Sequence, residues 1–150
     1  MEASAKYTAA ENMLVKKLFR KPDYEGAADA FVKAGNLFKI CQNYQRAGES
    51  FGRAFQLYQR EKSMGQAQQA LNNAINCYNI VDPTKSAELL EELIKEYAST
   101  GKFLQAGKAC IQQAERLEEN QQWVDARKCY DRAIELLKAE TNADSDMRNA

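Results

Sequence analysis

The chain of 150 residues fits one ordinary domain, and its 21 basic and 21 acidic residues give a formal net charge of zero. A dedicated nucleic-acid-binding protein usually carries a basic excess, so this balance argues against that class. Histidine is absent from the sequence. Because histidine is the commonest general base and metal ligand, we expect no catalytic site, no metal and no cofactor.

The charges are unevenly distributed along the chain. Residues 1–60 contain ten Lys or Arg against six Asp or Glu, and residues 61–150 contain eleven against fifteen. A basic N-terminal part suits an acidic partner or an anionic membrane surface.

Four cysteines, at positions 41, 77, 110 and 129, lie too far apart to form a CxxC motif. Three of them fall on predicted apolar helix faces, where a free cysteine behaves as a small buried apolar residue. We therefore expect reduced thiols and an intracellular, cytoplasmic location. The first twenty residues are mixed in polarity and no run of about 18 apolar residues occurs, so neither a signal peptide nor a membrane span is predicted.

The main pattern is an internal repeat of alanines at intervals of 20, 20, 20, 19 and 20 residues. Most of them have a large residue three positions before, another four positions after, and a small residue seven positions after. These offsets lie on one stripe of an α-helix, and alternating sizes let neighbouring helices pack closely. The repeated alanines are Ala27, Ala47, Ala67, Ala87, Ala106 and Ala126.

In chain order, this pattern and short polar breaks predict seven helices, and no strand signal occurs. Pro22 and Pro83 are placed at helix starts, where a missing N–H costs nothing. Glu91 and Gln113 interrupt the pattern, so the fifth and sixth helices should pack less regularly. Glycines inside the helices are tolerable if close contact needs the missing side chain. These glycines are Gly35, Gly48, Gly52 and Gly107. The predicted helices lie near residues 4–19, 24–40, 44–60, 65–80, 84–99, 103–119 and 123–140.

Short breaks between helices imply antiparallel neighbours. The predicted fold class is all-α, a right-handed solenoid of about seven antiparallel helices like that of tetratricopeptide repeats. Its hairpin of about 40 residues is longer than the usual 34. A closed helical bundle is the alternative. We predict a helical-repeat domain over residues 1–140, followed by a tail or the start of a truncated eighth helix over 141–150. Solenoid surfaces bind extended or helical partners, so protein binding is favoured over catalysis.

Several stretches resemble the soluble NSF-attachment protein (SNAP) family. Residues 24–39 are similar to the family's second helix, residues 43–51 to the start of its third, and residues 123–130 to its seventh. Val81-Asp82-Pro83 and Thr100-Gly101-Lys102-Phe103 occur at the family's distances. The resemblance covers roughly residues 11–140.

The resemblance implies an adaptor without enzymatic activity that binds the SNARE four-helix bundle and recruits the AAA ATPase NSF. Such a protein acts in vesicle fusion and intracellular transport and lies peripherally on membranes. Family members are about twice this length, and the part that engages the ATPase is missing here. We expect either a fragment or a shortened relative. The alternative function is a general repeat scaffold that binds a linear peptide or a helical partner.

The resemblance also indicates candidate binding residues. Lys102 and Lys108 match basic positions that the family uses against the acidic SNARE bundle, and Arg148 aligns with a third. Leu18 and Phe19 fall where SNAPs carry an apolar loop that touches the membrane. The competing interpretations are solvated surface for the cations and helix-end packing for the apolar pair.

Overall fold

The computed structural model describes residues 2–15 and 21–149, and within these ranges it contains seven α-helices and no strand. The predicted all-α class with seven helices is confirmed. The helices are α1 (Glu2–Met13), α2 (Tyr24–Ile40), α3 (Tyr44–Arg60), α4 (Met64–Val81), α5 (Pro83–Ser99), α6 (Phe103–Glu119) and α7 (Trp123–Asn149).

Two helix ends differ from the prediction. Helix α1 ends at Met13 rather than near residue 19, because the Met13 carbonyl accepts a hydrogen bond from the backbone N–H of Asp23 at 3.1 Å. That carbonyl is therefore used by the segment entering α2. At the other end of the chain, α7 continues through residues 141–149 to Asn149 without a break. These residues, predicted as a tail or the start of another helix, extend α7.

One type of turn joins most of the helices. At four helix ends, the second residue beyond the helix has a positive φ: 58° at Gln42, 58° at Lys62, 74° at Gly101 and 61° at Gln121. The residue after it donates its N–H back to a carbonyl five positions earlier, as in the bond from Asn43 to Phe38 at 2.8 Å. This left-handed cap reverses the chain after each of these four helices. Helix α4 ends differently, since it is followed directly by Asp82 and by Pro83 at the first position of α5.

The chain forms two compact units, Met1–Leu89 and Leu90–Ala150, with the boundary inside α5. In the first unit α1 packs against α2, α2 against α3 and α3 against α4. Its core contains small residues from α1 to α4 with Phe38, Phe51 and Tyr78 between them. Ser86 of α5 is buried and donates its hydroxyl hydrogen to the Ile75 carbonyl at 3.1 Å. This hydrogen bond links the start of α5 to α4.

The second unit is built around the antiparallel pair of α6 and α7. Both residues that interrupt the repeat pattern find polar partners on α7. Arg132 Nη1 donates to the two carboxylate oxygens of Glu91 at 2.7 and 2.8 Å, and Cys129 Sγ lies 3.6 Å from Gln113 Oε1. Polar contacts therefore replace apolar packing at these two positions.

Three of the four helix glycines permit close contact between helices. A Cβ atom on Gly35 would come within 2.8 Å of the Phe51 ring, and one on Gly48 within 2.8 Å of the Tyr78 ring. A Cβ atom on Gly107 would likewise come within 2.9 Å of the Leu137 side chain. The expectation is wrong for Gly52, since nothing lies within 4 Å of the position that its Cβ would take.

This difference predicts opposite effects for two matched substitutions. Gly48→Ala should lower the free energy of unfolding by about 1–3 kcal/mol, because the buried Tyr78 ring must shift to admit the methyl group. Gly52→Ala should raise it by about 0.5–1 kcal/mol, because alanine is the better helix former and meets no obstacle. Urea denaturation followed by circular dichroism measures both. A destabilised Gly52→Ala or an unaffected Gly48→Ala would contradict the packing described here.

Candidate partner-binding surfaces

The three candidate cations lie on the α6–α7 hairpin. Lys102 is the N-cap residue of α6 and is half-buried, whereas Lys108 is exposed in the second turn of that helix. Arg148 is exposed in the last turn of α7. All three cations thus lie on the hairpin, but at different positions along its axis.

The pairing of Gly107 with Leu137 sets the register of the two helices. Because the helices are antiparallel and Gly107 lies level with Leu137, positions on α6 can be matched to positions on α7. Arg148 then lies beyond the level of Lys102 by about six residues, which is about 9 Å along the helix axis. Lys102 and Lys108 are about 9 Å apart on α6 by the same rise per residue. The three cations are therefore spread along the hairpin, which suits an elongated acidic partner better than a compact anion.

The apolar pair proposed for membrane contact, Leu18 and Phe19, lies outside the described residues. Among the helices of residues 2–15 and 21–149, none is both long enough and apolar enough to cross a membrane.

The structure adds a cationic surface that the sequence interpretation missed. Three arginines on α3, here called the arginine stripe, lie over aromatic rings of α2. The guanidinium carbon is 5.3 Å from the ring centre for Arg46 and Phe38, 4.8 Å for Arg53 and Phe31, and 4.2 Å for Arg60 and Tyr24. Each step of seven residues along α3 is matched by a step of seven back along α2, so the pairs follow the antiparallel register. Stacking on a ring face is the geometry of a cation–π interaction.

Two side chains of α1, a ring and a carboxylate, contact the arginine stripe and the rings beneath it. Tyr7 packs edge-on against Phe31 with ring centres 5.0 Å apart, and Arg46 also lies 4.7 Å from the Tyr7 ring. Glu11 pairs with Arg53 at 3.6 Å. The side chains of Arg46 and Arg53 are still 42% and 38% exposed. The guanidinium groups are thus held in place and keep N–H groups open to solvent.

Such an arrangement can bind carboxylates with little loss of side-chain entropy. Arginine presents its N–H groups in a planar fork that matches a carboxylate, and stacking orients the plane before a partner arrives. The signal was present in the sequence as two sets of residues spaced by seven, the arginines of α3 and the aromatics of α2.

Two thiols in the second unit lie close to a charged pair. Burial raises the pKa of Cys110 to about 11, and the nearby Arg132 guanidinium opposes part of this shift. Burial also raises the pKa of Cys129. Both thiols are therefore protonated at neutral pH. A thiol is a poor nucleophile in that form, so neither Cys110 nor Cys129 is a candidate nucleophile.

The fold is that of a helical-repeat protein, and the surfaces described above are candidates for partner binding. A family model described as soluble NSF attachment protein, SNAP, matches residues 1–150. The chain belongs to the soluble NSF attachment protein family.

Individual relatives agree with this assignment. The chain is 30% identical over 117 residues to the alpha-soluble NSF attachment protein of Vitis vinifera, covering 78% of this chain and 40% of the relative. It is 30% identical over 124 residues to that of Mus musculus, covering 81% and 41%. The vesicular-fusion protein SEC17 of Komagataella phaffii is 30% identical over 80 residues, covering 53% and 27%. The chain spans about 40% of the length of the first two of these relatives.

The arginine stripe should contribute measurably to stability. Arg53→Met should lower the free energy of unfolding by about 1 kcal/mol, because it removes the stack on Phe31 and the ion pair with Glu11. Arg53→Lys should recover only part of this, since the ammonium group keeps the charge but not the planar stack. Arg127→Met, at an exposed position of α7, is the control and should stay within about 0.5 kcal/mol of wild type. Equal urea midpoints for all three variants and wild type would contradict the stacked geometry.

Thiol labelling should separate the cysteines by burial. Cys41 is exposed and should react quickly with Ellman's reagent near neutral pH, whereas buried Cys77 and Cys110 should react only on unfolding. The raised pKa of Cys110 also has a consequence for stability. Between pH 9.0, the ordinary pKa of a cysteine thiol, and the folded-state pKa of about 11, the folded thiol keeps its proton while the unfolded one loses it, so stability falls as pH rises through this window. Fast labelling of all four thiols in the native protein would contradict the packing.

Proposed function

We propose that this chain is an adaptor that binds SNARE complexes and acts in vesicle fusion and intracellular transport. The observation that carries the proposal is the match of the soluble NSF attachment protein family over residues 1–150. Its location is cytoplasmic and peripheral on membranes, and its action is binding rather than catalysis.

The arginine stripe supports a helical-bundle partner on physical grounds. Its three guanidinium groups recur every seven residues, or about 10.5 Å along α3. Helices of a coiled-coil bundle repeat their surface positions with the same seven-residue period. Acidic residues at successive heptads of such a bundle can therefore meet successive arginines of the stripe.

The cations of the α6–α7 hairpin supply a second contact in this proposal. Lys102, Lys108 and Arg148 face acidic side chains of the SNARE bundle, and their spread along the hairpin follows its length. Contacts between exposed charges set the association rate and orientation more than the affinity. Binding should accordingly weaken as ionic strength rises.

The proposal includes two further partners, an NSF-type AAA ATPase and a membrane surface. Recruitment of an NSF-type AAA ATPase depends on the C-terminal part that family members carry beyond this length. Contact with a membrane surface involves Leu18 and Phe19, flanked by Lys16, Lys17, Arg20 and Lys21, whose charges suit anionic lipid.

A charge reversal on α6 tests the proposal. Lys108→Glu should weaken binding to an assembled soluble SNARE complex about five- to tenfold at low salt, equivalent to about 1–1.4 kcal/mol. Fluorescence anisotropy with a labelled complex measures the dissociation constant. Lys85→Glu, at an exposed position near the start of α5, is the matched control and should bind like wild type.

The salt dependence completes the test. Wild-type binding should weaken severalfold between about 50 and 300 mM NaCl. Absence of binding to any SNARE assembly at low salt, with a sample folded by circular dichroism, would refute the proposal. Saturable binding of a linear peptide together with indifference to SNARE complexes would instead support the general repeat scaffold.

A further inference from the structure

A groove runs between α2 and α4, over α3, in the first compact unit. It has a volume of about 230 Å³. Carboxamide side chains form its walls, and Tyr58 and two small apolar side chains lie among them. The lining residues are Val32, Asn36, Tyr58, Gln66, Gln69, Ala70 and Asn73.

Helix α4 differs in chemistry from the rest of the chain. It contains no Asp, Glu, Lys or Arg in its 18 residues, although 28% of the chain is charged. Asparagine and glutamine occupy seven of its positions instead. Three of them, Gln66, Gln69 and Asn73, are spaced by three and four residues, so they project from one face of the helix into the groove. The seven are Gln66, Gln68, Gln69, Asn72, Asn73, Asn76 and Asn79.

The carboxamides of the groove are available to a ligand. Within residues 2–15 and 21–149, no hydrogen bond joins the side chains of Asn36, Gln66, Gln69 or Asn73 to another group of the protein. Tyr58 differs, because its hydroxyl donates to Asp29 Oδ1 at 2.5 Å. Each carboxamide carries both a C=O acceptor and an NH₂ donor. The four therefore present both donors and acceptors in the groove.

This chemistry matches the main chain of an extended peptide. Each residue of an extended segment exposes one N–H and one C=O, and a single carboxamide can pair with both. A helical partner has already used these groups in its own hydrogen bonds and presents only side chains. Anionic ligands lack a partner here, since no Lys or Arg lines the groove. Small-molecule sites are usually larger, about 300–1,000 Å³, and mainly apolar.

We propose that the groove between α2 and α4 binds the main chain of an extended, uncharged peptide segment. Gln66, Gln69, Asn73 and Asn36 provide the hydrogen bonds, and Val32 contacts the peptide's Cα and Cβ atoms. The site uses neutral hydrogen bonds, so its chemistry differs from that of the cationic surfaces. This proposal does not depend on the SNARE proposal.

The probe is a blocked hexapeptide, acetyl-Gly-Ser-Gln-Ala-Thr-Gly-amide, titrated into the ¹⁵N-labelled 150-residue chain. We expect saturable NMR shifts at the side-chain NH₂ groups of Gln66, Gln69 and Asn73, with a dissociation constant near or below about 1 mM. The constant should change less than twofold between about 50 and 500 mM NaCl, because no charges pair. The same peptide with N-methyl groups on alternate residues should bind at least fivefold more weakly.

Two variants locate the site. Gln69→Leu should weaken binding of the peptide at least fivefold, and Gln66→Leu, also at an exposed position, gives a second measurement should the first variant fold poorly. Gln112→Leu, an exposed glutamine of α6 outside the groove, should bind like wild type. Absence of saturation, equal binding of the N-methylated peptide, or equal weakening by Gln112→Leu would each overturn the proposal. Salt-sensitive binding would also overturn it, and none of these results bears on SNARE binding.

Discussion

The close approach of neighbouring helices at the repeated alanines is the constraint on which the other features depend. Ala27, Ala47, Ala67 and Ala106 are completely buried, and Ala126 is 2% exposed. Helices pack at about 8–10 Å between axes, with the smallest distances where the contact residues are small. Large residues on the same stripe, such as Phe31, Phe51 and Leu71, then fill the space on either side of each alanine. Alternation of small and large residues fixes how far each helix can slide along its neighbour.

A fixed register explains both binding surfaces of the first unit. The arginine stripe exists because three residues of α3 lie opposite three rings of α2 at matching steps of seven. A slip of one turn between these helices would separate Arg46, Arg53 and Arg60 from all three rings at once. The groove between α2 and α4 depends on the same register, since Tyr58 of α3 must lie under it. Packing of small residues in the core thus determines the chemistry displayed at the surface.

The sequence predicts most elements of this fold, since a stripe of alternating large and small residues recurs in α2, α3, α4 and α7 and short polar breaks separate most helices. Other features depend on tertiary context. Gln42, Lys62 and Gln121 adopt the left-handed conformation that usually indicates glycine, so composition gave no sign of these caps. Residues 141–149 lack the apolar stripe and nonetheless continue α7. The groove could not be predicted, because it joins side chains of α2 and α4, which are not neighbours in sequence. The arginine stripe could have been found from its period of seven.

The two proposed binding surfaces of the first unit face different directions. On α3, Arg53 and Tyr58 are five residues apart, which places them about 140° apart around the helix axis. The arginine stripe and the groove therefore lie on different sides of α3. One surface offers fixed positive charge at a seven-residue spacing, and the other offers neutral donors and acceptors. Charge attraction weakens with salt while neutral hydrogen bonds do not, so ionic strength separates the two kinds of binding. The two proposed occupants, a charged helical bundle and an uncharged extended segment, would therefore not compete for one surface.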